Sequence, residues 1–193
     1  VLAVTVLPSL GVGGLQLMTA ESPGHESDKL RARSIDTAKS LWLVYFGVTI
    51  TIALLLWATP SVGLYDAVAH GLSTAAIGGF STKNGSIGSF DSYIVELIIV
   101  FGMFIGAMNY NLQYKFWKSK GNFRVFTRSS EWNLYVRITL SFIGVIFLMN
   151  WLMESVDVGT AFRDSLFNVV TLASSTGFGN VRPDGIGNFV LWG

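Results

Sequence analysis

The sequence predicts an all-α membrane protein built from repeated helix–loop–helix units whose loops contain short re-entrant helices. Three features of the chain point there. Apolar residues make up 51% of the 193 positions and charged residues only 13%, with a mean hydropathy of +0.52, whereas a soluble domain carries about a quarter charged residues. Three stretches are long, apolar and nearly free of charge. Between them lie half-apolar segments too short to cross a bilayer. The same composition excludes other classes. There is no cysteine, so disulfides and thiolate metal sites are ruled out, and a net charge of +1 offers no basic field for nucleic acid. His25 and His70 are too far apart in sequence to suggest a metal cluster.

Residues 1–18 are apolar through position 17, without a charged leader or a small-residue cleavage site. They read as the end of a membrane helix rather than a signal peptide. With the start at Val1 and the renewed apolar run at Leu191-Trp192, the chain reads as part of a longer protein. Residues 19–40 carry Lys29, Arg31, Arg33 and Lys39 and read as a loop. Residues 41–59 (LWLVYFGVTITIALLLWAT) are uncharged and end at Pro60. At about 1.5 Å per residue they span the hydrocarbon core of about 30 Å. Residues 93–110, with Glu96 near the start, form a second span; residues 134–153, with Arg137 near the start, form a third. Trp42, Trp57, Trp132 and Trp151 fall near span ends, where aromatic belts form.

Charge predicts orientation. Residues 111–133 hold Lys115, Lys118, Lys120, Arg124 and Arg128, while the other connections hold only Lys83, Arg163 and Arg182. Under the positive-inside rule, 19–40 and 111–133 are cytoplasmic loops. The intervening connections then lie on the outer side. There, residues 64–77 (LYDAVAHGLSTAAI) and 160–175 (TAFRDSLFNVVTLASS) are helix-compatible but too short to span, and each carries an early acid, Asp66 and Asp164. These are the expected re-entrant helices; backbone that leaves the helix at membrane depth must be buried in protein or face water.

The two segments repeat one another. An offset of 98 superposes Asp66 on Asp164, Ala75 on Ala173, Gly79 on Gly177 and Phe80 on Phe178; one inserted residue then brings Gly88 onto Gly187 and Phe90 onto Phe189. The chain thus divides into 1–18, the end of a membrane helix; 41–110, a complete helix–loop–helix repeat; and 134–193, a repeat that stops before its last helix, with the two loops 19–40 and 111–133 between them.

The residues just after each short helix carry the chemistry. A cation entering a membrane must exchange water for other oxygens, and an extended backbone can offer its carbonyls, as the T-V-G-Y-G loop of potassium channels does. Ser175-Thr176-Gly177-Phe178-Gly179 reads directly against that loop, and Ile77-Gly78-Gly79-Phe80-Ser81 is a weaker counterpart. The C-terminal end of the preceding helix favours a cation through its dipole. No charged side chain is required, and none occurs at 75–82 or 173–181. Such residues also build ordinary loops; their recurrence after two short helices favours a filter.

The chain resembles the Trk/Ktr/HKT superfamily of potassium transporters, and within it the TrkH-type membrane subunits of bacterial Trk uptake systems. The resemblance rests on A-H-G-L-S-T-A-A-I-G-G-F-S-T at 69–82, T-L-A-S-S-T-G-F-G-N at 171–180 and L-P-S-L-G-V-G-G-L-Q-L at 7–17. It implies four such repeats around a central pore, potassium-channel-like, of which this chain holds the end of the first, all of the second and most of the third. It implies that Gly79 and Gly177 are the filter glycines. Potassium, as substrate, would be bound by backbone carbonyls of Ala76, Ile77, Gly78 and Gly79 and of Ser174, Ser175, Thr176 and Gly177. It further implies a bacterial cytoplasmic (inner) membrane location, a homodimer in membrane lipid, no covalently bound cofactor, and a cytoplasmic nucleotide-binding regulatory subunit of the TrkA kind docking near the basic loops. The first and fourth filters, and a gating loop after the third, fall outside this chain. A sodium-permeable or sodium-coupled transporter and a non-conducting scaffold are the alternatives. An enzyme is disfavoured, because no nucleophile–base pair or phosphate loop is present.

Other residues carry narrower expectations. Glu96 either faces water near the interface or serves the pore. His70 is expected to be packed or hydrogen-bonded rather than a proton relay. Gly102 and Gly106 are expected to let helices pack closely within the chain, and Asn109 and Asn111 to end a helix, capping it or meeting the interface. Lys83 and Arg182 either tether the loops or oppose incoming cations.

Overall fold

The computed structural model describes residues 26–153 and 157–180, with side chains from 39 onward. The expectations for 1–18, His25, Arg182 and the pairs at Gly187 and Phe189 lie outside the described residues, as do the side chains of Lys29, Arg31 and Arg33. Seven α-helices occur among the described residues: α1 (Glu26–Trp57), α2 (Leu64–Ala75), α3 (Tyr93–Gly106), α4 (Tyr110–Lys118), α5 (Arg124–Thr127), α6 (Ser130–Met153) and α7 (Val158–Ala173), with a 3-10 turn at Ser86–Phe90.

Among the described residues two helices are long and apolar enough to cross a membrane, Lys39–Trp57 within α1 and Ser130–Leu152 within α6. They coincide with the first and third expected spans. Residues 26–40, read as loop, continue α1 instead. Their Lys, Arg, Glu and Ala are good helix formers, and charge alone does not end a helix. The basic stretch 111–133 likewise contains α4 and α5.

The second expected span is broken. α3 and α4 meet at 96° and together pass as a span only if counted as one bent unit. Asn109 caps α4, its side chain accepting from the Asn111 N–H at 2.9 Å. The Gln113 amide donates to the Ile105 carbonyl at 2.8 Å. That carbonyl also accepts from the Met108 N–H at 3.0 Å, so the bend is held from both sides.

α2 and α7 are the two short helices. At 12 and 16 residues they reach about 18 and 24 Å, short of the hydrocarbon core. α2 lies along α1, where Gly71 abuts Ala53: a Cβ built on Gly71 would sit 2.9 Å from that of Ala53. α3 covers the other side of α2. A Cβ on Gly102 would meet Thr74 Cγ2 at 2.6 Å and Ile52 Cδ1 at 2.7 Å, and one on Gly106 would meet Ile77 Cγ2 at 3.2 Å. The GxxxG pair is thus spent on packing inside the chain. The apolar core joins Ile52 and Leu56 of α1, Ala67 of α2, Ile99 and Met103 of α3, and Phe167 and Val170 of α7. Both repeats therefore share one core, and their loops emerge side by side.

Candidate functional site

Each short helix ends in the same way. α2 passes through Ala76 (φ −82°) into Ile77 at φ +48°, with the Ile77 N–H bonding the Thr74 carbonyl at 3.0 Å and the Gly78 N–H bonding the Ser73 carbonyl at 2.7 Å. α7 passes through Ser174 (φ −84°) into Ser175 at φ +58°, with Ser175 N–H to the Leu172 carbonyl and Thr176 N–H to the Thr171 carbonyl, both 2.9 Å. This pair of bonds is the Schellman motif, whose left-handed position usually belongs to glycine. Here isoleucine and serine occupy it, and a β-branched residue at positive φ is uncommon. Gly79 and Gly177 follow at φ +69° and +84°, so in both loops the sign of φ alternates over four residues.

The consequence is a set of free carbonyls. A trans peptide sets each C=O opposite the next residue's N–H. The N–H groups of Ile77 and Gly78, and of Ser175 and Thr176, turn back to their helix ends. The carbonyls of Ala76, Ile77, Ser174 and Ser175 therefore point away from those ends. Among the described residues no donor bonds to the carbonyls of Ala76, Ile77, Gly78 or Gly79, nor to those of Ser174, Ser175, Thr176 or Gly177. The carbonyls on either side are taken. Ala75 accepts from the Tyr110 hydroxyl at 2.9 Å, and Phe178 from the Thr171 hydroxyl at 3.0 Å.

The loops touch. A Cβ on Gly79 would overlap the Thr176 carbonyl oxygen and stand 3.0 Å from its carbon. Only glycine fits there, for its φ and for the space. The contact is held from outside. The Ile87 and Gly88 N–H groups converge on the Gly179 carbonyl at 3.0 and 3.4 Å, and the Gly179 N–H donates to Ser86 Oγ at 3.2 Å. Phe178, 2% exposed, packs beside His70, which in turn meets the edge of Phe90.

Beyond the glycines, each loop is tied back to its own helix, to the first turn of α2 and to the middle of α7. Asp66 accepts from the Thr82 hydroxyl at 2.6 Å, and Asp164 from the Asn180 amide at 3.1 Å, both over sixteen residues. The repeat detected from identities thus extends to a polar pair that identities do not show. Lys83 also binds Asp66, at 3.1 Å, and so tethers its loop. The Thr82 hydrogen bond first, and Lys83 second, hold the Asp66 carboxyl below its ordinary range. His70 is packed and hydrogen-bonded as expected: Nδ1 donates to the Asp66 carbonyl at 2.7 Å and Nε2 lies 2.9 Å from Ser81 Oγ.

Glu96 neither faces water nor reaches the loops. It is 3% exposed, and both its oxygens are gripped by Arg163, at 2.6 and 2.7 Å. That partner lies 67 residues away, so its identity is not visible from local sequence. A large apolar cavity of about 550 Å³ lies at the α3–α4 bend, lined by Phe104, Phe116, Trp117 and Phe126 among others. No loop residue lines it. Among the described residues no His, Cys, Asp and Glu cluster could hold a metal ion.

Residues 1–186 match the family model described as TrkH, a cation transport protein. The chain belongs to the TrkH family. It is 39% identical over 180 residues to the Trk system potassium uptake protein TrkH of Salmonella typhimurium and 36% identical over 180 residues to TrkG of Escherichia coli, in each case over 92% of this chain. Its fold matches the crystal structure of the potassium transporter TrkH from Vibrio parahaemolyticus with a TM-score of 0.74 and 33% identity, over 93% of this chain. The chain spans 37% of the Salmonella TrkH relative and 35% of the solved TrkH chain. These TrkH relatives are named as transport proteins and not as enzymes.

Proposed function

We propose that this chain supplies two adjoining walls of a potassium-uptake pore in the bacterial cytoplasmic membrane. The carbonyls of Ala76, Ile77, Gly78 and Gly79, and of Ser174, Ser175, Thr176 and Gly177, replace water around the passing ion. One observation carries the reading: two loops with the same alternating φ, their carbonyls unclaimed among the described residues, meet at Gly79 and Thr176. The Schellman caps spend the N–H groups on the helix side and leave the oxygens for the ion. The two helix C-termini add their negative dipole ends. A row of neutral carbonyls gives up a monovalent ion far more readily than a carboxylate cluster does, as conduction requires. The named potassium-uptake relatives support potassium as the substrate. The full-length parent would act as a homodimer in lipid, with a cytoplasmic nucleotide-binding subunit of the TrkA kind at the basic segments 19–40 and 111–133.

The test is rubidium uptake into liposomes holding the full-length parent and its partner, with potassium or sodium as competitor. Potassium is expected to block uptake more strongly than sodium, and Gly177→Ser to weaken that preference. Equal block by sodium would point to a sodium-permeable transporter. No uptake by well-folded protein would leave a scaffold.

A further inference from the structure

Consecutive residues of α7 hold that helix in two directions. Arg163 reaches to α3, its Nε 2.6 Å from Glu96 Oε2 and its Nη2 2.7 Å from Oε1. Its guanidinium also lies 5.4 Å from the centre of the Tyr93 ring. Asp164 holds Asn180, just beyond the loop. The repeat at 41–110 thus grips the one at 134–193 at two points: Glu96 takes Arg163 in the second turn of α7, and the turn Ser86–Phe90 takes Gly179 past its end. Between those points Thr176 rests against Gly79.

We propose that Glu96 and Arg163 are a positioning pair that sets the spacing between the two carbonyl loops and, through it, the preference among cations. The inference rests on the reading of these loops as a filter. A buried ion pair adds little net stability over an apolar pair of the same shape, and its best-attested use is to specify one arrangement. The planar fork of arginine fixes both the distance and the angle to a carboxylate, which the ammonium of lysine does not. Glu96 is buried and Arg163 partly buried; the pair joins the two repeats, and its Arg163 lies on the helix that delivers Ser174 to the loop. A slip of α7 against α3 would move the carbonyls of Ser174–Gly177 relative to those of 76–79, and preference among ions depends on where such carbonyls stand.

The experiment uses the full-length parent with its partner in liposomes and reads the ratio of potassium to sodium block of rubidium uptake. Arg163→Lys keeps the charge and loses the fork. It is expected to retain uptake and to lower the ratio by about threefold or more, the low end of coupling between touching groups. The exchanged pair, Glu96→Arg with Arg163→Glu, is expected to recover part of the ratio lost in Glu96→Arg alone. A wild-type ratio in Arg163→Lys overturns the inference. So does a series in which only the amount of folded protein changes. If Arg163→Lys does not accumulate, the exchanged pair decides: folded protein with a wild-type ratio supports the inference, and folded protein with the ratio of Glu96→Arg, or no folded protein, overturns it. Gly177→Ser, run alongside, separates the two claims. A shift there without one in the pair variants defeats only the positioning role; no shift in either defeats the filter reading.

Discussion

The loop after α2 and the loop after α7 share a backbone and differ in what supports it. Both leave a Schellman cap through a non-glycine residue at positive φ and reach a glycine two residues later. The α7 loop is braced by hydroxyls. Thr171 holds the Phe178 carbonyl, and Ser174 Oγ lies 2.7 Å from Thr176 Oγ1. The α2 loop has Ser73, Ala76 and Gly78 at those positions, and Ser73 Oγ has no partner among the described residues. Phe178 is 2% exposed, whereas Phe80 is 81% exposed. The α7 loop leans on the repeat before it, Phe178 on His70 and Gly179 on the turn Ser86–Phe90. One conformation can therefore be stabilised by side chains in one copy and by close backbone packing in the other.

The glycines should break this comparison most sharply. Gly79→Ala must both adopt φ +69° and displace the Thr176 carbonyl, while a Cβ on Gly177 meets nothing within 4 Å. Left-handed backbone costs a non-glycine residue about 1–2 kcal/mol. Gly177→Ala should lose roughly that much, measured as a thermal shift of the purified parent. Gly79→Ala should lose clearly more, and uptake with it. Equal losses would mean that the loops do not touch.

Phe178→Ala should cost about 3–5 kcal/mol, as for a buried aromatic. Phe80, by the repeat, is placed to lean on the unit before it. In the full-length parent Phe80→Ala should therefore cost nearly as much as Phe178→Ala, read by denaturant or thermal unfolding. An unchanged midpoint would show that the leaning contact belongs to one loop alone.

Much of this was legible in sequence. The short helices showed because 64–77 and 160–175 are apolar yet too short to span, and the paired glycines showed because an offset of 98 superposes them. The bend between α3 and α4 was hidden. Residues 93–110 contain no proline, and the turn depends on Gln113 reaching back to Ile105. The role of Glu96 was hidden for a similar reason, since its partner arrives from the next repeat. Contacts across long sequence separation leave no periodicity to read, whereas φ requirements leave glycine.

Smaller effects sharpen the contrast in support. Thr171→Val should cost about 0.5–1.5 kcal/mol, the usual net value of one hydrogen bond. Ser73→Ala should be nearly neutral, because that hydroxyl is unpartnered among the described residues. The two midpoints, measured side by side, check both. The smallest effect concerns Asp66. Thr82 and Lys83 lower its carboxyl below the ordinary 3.8, so its contribution to stability is fully present above that value and fades as pH falls through the lowered one. Asp66→Asn should remove this acid-dependent component from the unfolding profile and leave the profile near neutrality parallel to wild type.

The central claim is that the unclaimed carbonyls of the two adjoining loops hold the ion. The most direct test is anomalous diffraction from crystals of the full-length parent soaked in rubidium or thallium. The account predicts anomalous density between the loops, within coordinating distance of carbonyls from both 76–79 and 174–177. Ions seen only elsewhere along the pore, with these carbonyls bound to water or to each other, would contradict it.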